Sequence, residues 1–253
     1  MATRWLLRYI LGCLVICAAL IGCADDESGD AGQLVDTAAL LALEVNPPEG
    51  VGVGLSQAVI ELEALSRRIS GAAPEAPPTA TITVILGAEG VGPEGYILST
   101  NEAGVSLEAS TELGAMYGLY HLAGDLGVLY IHPEETVTPD NPEVSLPEYD
   151  GTPVVPSFEL RGFHEHTQHP IVMSDYVLRP DEPGFRDAVS RYIHWLARNR
   201  QNYFSVHLLN TINLDAWVPW MAEIVSEAHD FGVQVGVMAS FADQQQHNFK
   251  LLD

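Results

Sequence analysis

The segment His164-Glu165-His166-Thr167-Gln168-His169 places three imidazoles within six residues. In an extended strand His164 and His166 share one face and could serve as a pair of metal ligands, while Glu165 points the other way. A zinc-type centre needs more ligands than two, and no third one is assigned at a recognised spacing, so no metal is expected. His207 closes an apolar run that begins at Tyr203. A histidine at the end of a strand either touches a ligand or hydrogen-bonds within the core, and both readings stand here. Other chemistries fail on their required residues. Gly50-Val51-Gly52-Val53-Gly54 lacks the preceding strand and the downstream acid of a dinucleotide site, and no phosphate-loop lysine follows it. There is no Gly-x-Ser-x-Gly elbow. No cofactor is expected.

These residues sit on a regular alternation. From Phe158 to Ala239 the chain reads strand, helix, strand, helix, strand, the order of a (β/α)8 barrel in which reacting groups lie on loops at the C-terminal strand ends. The helix from Phe185 to Arg200 aligns Phe185, Val189, Tyr192, Ile193, Leu196 and Ala197 on one face. About three strands are present, so the fold class expected is α/β, with an incomplete TIM barrel over 157–253 and most of the loops that would carry reacting groups beyond Asp253. The strand around Val233 to Ala239 would then have an open edge.

A separate small α+β domain is expected over 34–139. Leu55, Val59, Leu62, Leu65 and Ile69 give a helix with one buried face, closed by Gly71. Thr81 to Leu86 is a β-branched strand, and Tyr96 to Thr100 pairs with Val105 to Ala109 across a turn at Asn101 to Gly104. Thr111 caps a helix from Glu112 to Asp125, and Val128 to Ile131 follows as a strand. Gly114 and Gly118, one helical turn apart, let helix and sheet approach closely. The proline-spotted stretch 140–156 reads as a linker.

The N-terminus carries Arg4 and Arg8 before the apolar run Tyr9 to Ile21, which is too short to span a bilayer and reads as a secretory signal over 1–22. An acidic tether over 23–33 has too little apolar area to fold. A net charge of −23 repels phosphate backbones and anionic lipid, which excludes nucleic-acid partners and favours a neutral substrate. With 47% hydrophobic residues in 253, the chain can bury a core.

Two resemblances add to this reading. Leu20-Ile21-Gly22-Cys23 resembles the lipobox of bacterial lipoproteins. It implies export, lipid attachment at Cys23 and an anchor in the membrane of the bacterial cell envelope. Glu94 to Leu98, Gly104 to Leu107, Gly114 to Leu122 and Leu126 to Val128 are similar to the accessory domain that precedes the barrel in family 20 glycoside hydrolases (β-hexosaminidases) and related α-glucuronidases. Pro156 to Phe163 is similar to the first barrel strand of the hexosaminidases. There the arginine before the glycine binds hydroxyls of the terminal sugar, and Arg161 is the matching residue. A planar guanidinium fork can reach two neighbouring hydroxyls at once. The other reading of Arg161 is an ion pair with a carboxylate such as Glu165. Asn202 to His207 is similar to the second strand of those families.

What the resemblance implies is a surface-anchored glycoside hydrolase acting on O-glycosyl bonds, hexosaminidase-like or uronidase-like, with a carbohydrate substrate held by Arg161, His207, Glu165 and His164. The histidine-rich segment then reads as a loop over the barrel mouth. Trp217 and Trp220 either stack on a sugar or pack within a helix layer, as aromatic residues at helical spacing usually do. Asn210-Thr211 stands where hexosaminidases have an acidic pair, and Gly232 to Ser240 lacks their acidic cluster. A non-catalytic carbohydrate-binding lipoprotein on the same scaffold is the alternative.

Because the thiol of Cys23 is the only one expected to remain after signal cleavage, Cys23→Ser is expected to move the protein from the membrane fraction to the soluble fraction. Fractionation of cells expressing both forms checks this, and an unchanged membrane-bound mutant would remove the lipoprotein reading.

Overall fold

The computed structural model describes residues 39–165, 172–208 and 212–238. The signal segment, the tether, Cys23, His166, His169, Asn210 and Thr211 lie outside them. Two sheets divide these residues. The first is built on a crossover: β1 (Leu43–Asn46) leads through α1 (Val53–Ser70) into β2 (Ala80–Leu86), which runs parallel to β1. Helix α1 buries Leu55, Leu62, Leu65 and Ile69, and Gly71 ends it at φ 77°, as its spacing predicts. Two buried serines attach it to the strand it covers. Ser66 Oγ accepts from the Leu43 N–H at 3.1 Å, and Ser70 Oγ donates to the Leu41 carbonyl at 2.7 Å. β1 has only four residues, too short to stand out as an alternating pattern.

The expected hairpin is β3 (Tyr96–Asn101) with β4 (Gly104–Ala109). Asn101 Oδ1 accepts from the N–H groups of Ala103 and Gly104, at 2.9 and 3.0 Å, and Gly104 has φ 146°. A Cβ at Gly104 would also lie 2.3 Å from the Thr81 carbonyl oxygen, so glycine is required twice over. β4 runs parallel to β2 as well as antiparallel to β3. The sheet is completed by β7 (Asp150–Val154), giving the order β1-β2-β4-β3-β7. This strand lies inside the stretch expected as a linker. Gly151 and Pro153 hid it, yet a proline is tolerated on an edge strand, where one side needs no N–H. Between them, β5 (Leu129–His132) pairs with β6 (Glu135–Val137) as a two-stranded hairpin.

Helix α2 (Glu112–Asp125) lies across this sheet, with Thr111 Oγ1 accepting from the Gly114 N–H at 3.3 Å. A Cβ on Gly114 would sit 2.5 Å from the Gly95 carbonyl oxygen, and one on Gly118 would sit 2.4 Å from the Leu107 side chain. The expected close approach of helix and sheet is therefore present.

The second sheet is parallel throughout. β8 (Gly162–Glu165), α3 (Val172–Leu178), α4 (Phe185–Arg198), β9 (Tyr203–His207), α5 (Leu214–Asp230) and β10 (Gln234–Met238) follow in order, with strands arranged β10-β9-β8. β8 begins later than the strand expected from Pro156. His164 and Glu165 are thus in a strand, where a loop over a barrel mouth was expected. Three strands and their helices are what the alternation predicts; no closed barrel is present among the described residues. One continuous apolar core runs from Leu41, Leu62 and Leu107 to Val189, Phe204 and Ile224.

Gly114→Ala drives a methyl against backbone that cannot rotate away, so a loss of about 1–3 kcal/mol of stability is expected from overpacking. Urea denaturation of the two proteins checks this.

Candidate functional site

The register of the parallel sheet sorts the expected site residues onto two faces. His164 lies opposite Ser205, Ser205 opposite Gly236, and His207 opposite Met238. Side chains alternate along a strand, so Tyr203, Ser205 and His207 share one face with His164. His164 Nδ1 is 3.0 Å from Ser205 Oγ, and the rings of His164 and His207 meet edge to face with centroids 4.6 Å apart. Tyr203 completes this face. A Cβ on Gly236 would fall 2.3 Å from its hydroxyl oxygen, so Gly236 leaves room for that ring. His164 is exposed, His207 half-buried and Ser205 buried, and together they form a polar patch on one face of the sheet. Its groups donate and accept hydrogen bonds without carrying a fixed charge. None of the residues that β8, β9 and β10 direct to this face is a carboxylate. Among the described residues no cluster of three or more His, Cys, Asp or Glu could hold a metal ion.

Glu165 is on the other face, with Phe163, Phe204 and Val206. It is only 6% exposed and accepts a short hydrogen bond from the Tyr192 hydroxyl on α4. Burial, reinforced by that carboxylate, pushes the Tyr192 phenol well above its ordinary pKa. Tyr192 also stacks beside Trp195 and meets Phe204 edge to face. The expectation that Glu165 shares a ligand site with His164 is corrected: α4 covers it.

Arg161 is likewise apart from the histidines. It precedes β8, whereas His207 ends β9, and at about 3.3 Å per residue the two ends of the sheet are ~15 Å apart. Each of its three nitrogens has a protein neighbour, two through hydrogen bonds and Nη2 through an ion pair. Nε donates to the Arg200 carbonyl at 2.9 Å, Nη1 donates to the Phe158 carbonyl at 2.7 Å, and Nη2 lies 2.7 Å from Glu94 Oε2. The guanidinium also lies 5.8 Å from the centre of the Tyr117 ring. An ion pair was one of the two readings of Arg161, but the carboxylate is Glu94, not Glu165.

Two residues that the sequence reading placed in motifs without giving them a role, Glu94 and Asn202, complete this arrangement. Glu94 Oε1 accepts from Asn202 Nδ2 at 2.8 Å, and Asn202 is 1% exposed. Asn202 Nδ2 also donates to the Glu159 carbonyl at 2.7 Å, while its Oδ1 accepts from the Arg161 N–H at 2.8 Å. A polar side chain immediately before an apolar strand was the available signal. The tryptophan pair is settled in the same way: Nε1 of Trp217 and of Trp220 both donate to the Val177 carbonyl, at 3.2 and 2.9 Å. They pack α5 against α3.

No family model matches the chain, and no curated protein matches it. Solved structures do. A family GH115 4-O-methyl-α-glucuronidase with specificity for decorated arabinogalactans superposes at a TM-score of 0.59 and 16% identity, over 79% of this chain and 29% of its own. A GH138 enzyme targeting pectin rhamnogalacturonan II gives 0.51 at 13% identity, over 78% and 24%. The GH20 β-N-acetylhexosaminidase from Streptomyces coelicolor A3(2) gives 0.49 at 17% identity, over 79% and 42%. The chain thus spans less than a third of the length of the first two. Its mixed α/β fold is similar to that of glycoside-hydrolase domains, with no single family assigned.

Arg161→Lys replaces three directed donors by one point charge, so it is expected to lose about 1–3 kcal/mol of stability through unmade charged hydrogen bonds. Thermal and urea denaturation check this. A variant of unchanged stability that has lost affinity for sugar would return Arg161 to the ligand site.

Proposed function

We propose that this chain is part of a glycoside hydrolase acting on O-glycosyl bonds of an oligo- or polysaccharide, hexosaminidase-like or uronidase-like. Its parallel sheet would be the start of a (β/α)8 barrel. The observation that carries the reading is the polar face of His164, Ser205 and His207, which runs to the C-terminal strand ends of a sheet whose fold resembles glycoside-hydrolase domains. That is where barrel enzymes of this kind hold substrate. In this reading His164 and His207 bind sugar hydroxyls. The carboxyl groups that flank the scissile bond, or the single acid that works with a substrate acetamido group, would be carried by strands that follow β10.

Arg161 and Glu165 then act from outside the site. Arg161 holds the N-terminal ends of β8 and β9 in place, and Glu165 fastens β8 to α4. The lipobox-like Leu20 to Cys23 supports an exported protein anchored by lipid at the cell envelope, where a polysaccharide would be met.

The test is an assay of the complete gene product on aryl glycosides of N-acetylhexosamines and of glucuronic acid. Release of the aryl group is expected, and His207→Ala should lower kcat/KM at least about tenfold, the loss of one well-placed hydrogen bond in the transition state. Binding of saccharide without turnover would establish the alternative, a carbohydrate-binding lipoprotein. Turnover that His207→Ala leaves unchanged would place the site elsewhere.

A further inference from the structure

The turn between α4 and β9 contains Arg200, the one non-glycine residue of positive φ, 57°, among the described residues. Two contacts accompany that conformation. Its carbonyl accepts from Arg161 Nε at 2.9 Å, and its Nη1 donates to the Tyr96 hydroxyl at 3.2 Å. Tyr96 belongs to β3 and is 2% exposed. The same hydroxyl lies 3.1 Å from His121 Nδ1 on α2. The other side of the imidazole faces Asp125, with Nε2 3.5 Å from Oδ2. Asp125 in turn accepts from the Tyr149 hydroxyl at 2.8 Å. The titratable and charged groups around His121 are therefore Tyr96, Arg200 and Asp125, with Tyr149 reaching it through Asp125.

Proton counting determines how this chain of contacts works. The Tyr96 oxygen already accepts from Arg200, a permanent cation, so its own O–H must find an acceptor. Neutral His121 offers one at Nδ1 and keeps its proton on Nε2, toward Asp125. Protonation puts an N–H on Nδ1, facing the Tyr96 O–H, and a second cation close to the Arg200 guanidinium. The hydroxyl would then have to turn within a buried site, where an unpaired donor is costly. Asp125 favours the imidazolium and Arg200 opposes it.

We propose that Arg200, Tyr96, His121 and Asp125 form a proton-sensitive latch between the five-stranded sheet and the turn that starts β9, closed when His121 is neutral and opened when it is protonated. Opening frees the Arg200 side chain from β3 and loosens the turn from which Asn202 and β9 begin. Burial holds the pKa of His121 below its ordinary value, Arg200 lowers it further, and Asp125 counteracts both. The folded latch thus binds the proton less well than the unfolded chain. Its contribution is present above about pH 6.5 and is lost as pH falls toward the folded-state value.

Hydrogen exchange of the amides of Gln201 and Asn202, corrected for the intrinsic pH dependence and followed from pH 7.5 to 5, tests this. In the wild-type protein protection should fall about tenfold, while amides of α1 keep theirs. His121→Gln should show no such fall, and Asp125→Asn should move it to lower pH. An unchanged protection pattern in the wild type, an equal loss in His121→Gln, or a parallel loss across α1 would overturn the latch.

Discussion

The Glu94 carboxylate is the point on which the two sheets of this protein meet. One oxygen takes Arg161 and the other takes Asn202, so a single side chain from the loop before β3 holds the residues that immediately precede β8 and β9. Neither the arginine nor the carboxylate is more than a sixth or so exposed, at 16% and 17%. In such surroundings an ion pair persists because leaving either charge alone is far worse than keeping both. The backbone joins in: Arg161 N–H reaches Asn202 Oδ1, and Asn202 N–H reaches the Arg161 carbonyl, each at 2.8 Å. The relative register of β8 and β9 is set where those strands begin, and His164 and Ser205 are neighbours as a consequence.

Register decides which side chains can work together in a sheet, because a slip of one residue moves every side chain to the opposite face. With Gly162 opposite Tyr203, His164, Ser205 and His207 are on one face while Glu165 and Phe204 are on the face covered by α4. Gly162 also admits this pairing sterically. A Cβ there would lie 1.7 Å from the Tyr203 carbonyl oxygen. A buried carboxylate bonded to Tyr192 on one side and an exposed imidazole on the other are thus two results of one alignment. They explain why adjacent residues of a polar motif have unrelated roles.

Much of the first sheet was legible in the sequence, because its signals are local. Thr111, Gly71 and the Asn101 to Gly104 turn each act on the few residues beside them, and α1, α2 and the hairpin appear where those residues put them. The misses have physical reasons. β7 carries a glycine and a proline that only an edge position tolerates. Arg161 looks the same in sequence whether its fork meets a sugar or a carboxylate, and the partner that decides it, Glu94, is 67 residues away along the chain. Alternation already sets Glu165 opposite His164, but that its face is the one α4 covers depends on Tyr192, 27 residues further on, which no local pattern specifies.

Charge distribution bears on what the polar face can offer a ligand. The chain has eleven Lys and Arg against 34 Asp and Glu, so cations are scarce. Four arginines between 161 and 200 face the first sheet and its helices or hairpin: Arg161 on Glu94, Arg191 on Glu134, Arg198 on Glu61 and Arg200 on Tyr96. Arg186 spans α4 and α5 through Glu227. None of these is on the face of His164 and His207. A neutral sugar needs only hydrogen-bond donors and acceptors, which that face supplies. A uronate brings a carboxylate that must be desolvated against a positive group. On the described face only an imidazole could provide one, and an imidazole carries charge only when protonated. The arginines that hold the two sheets together are thereby committed to the fold, and the strand positions of the His164 and His207 face offer hydrogen-bonding groups and no guanidinium.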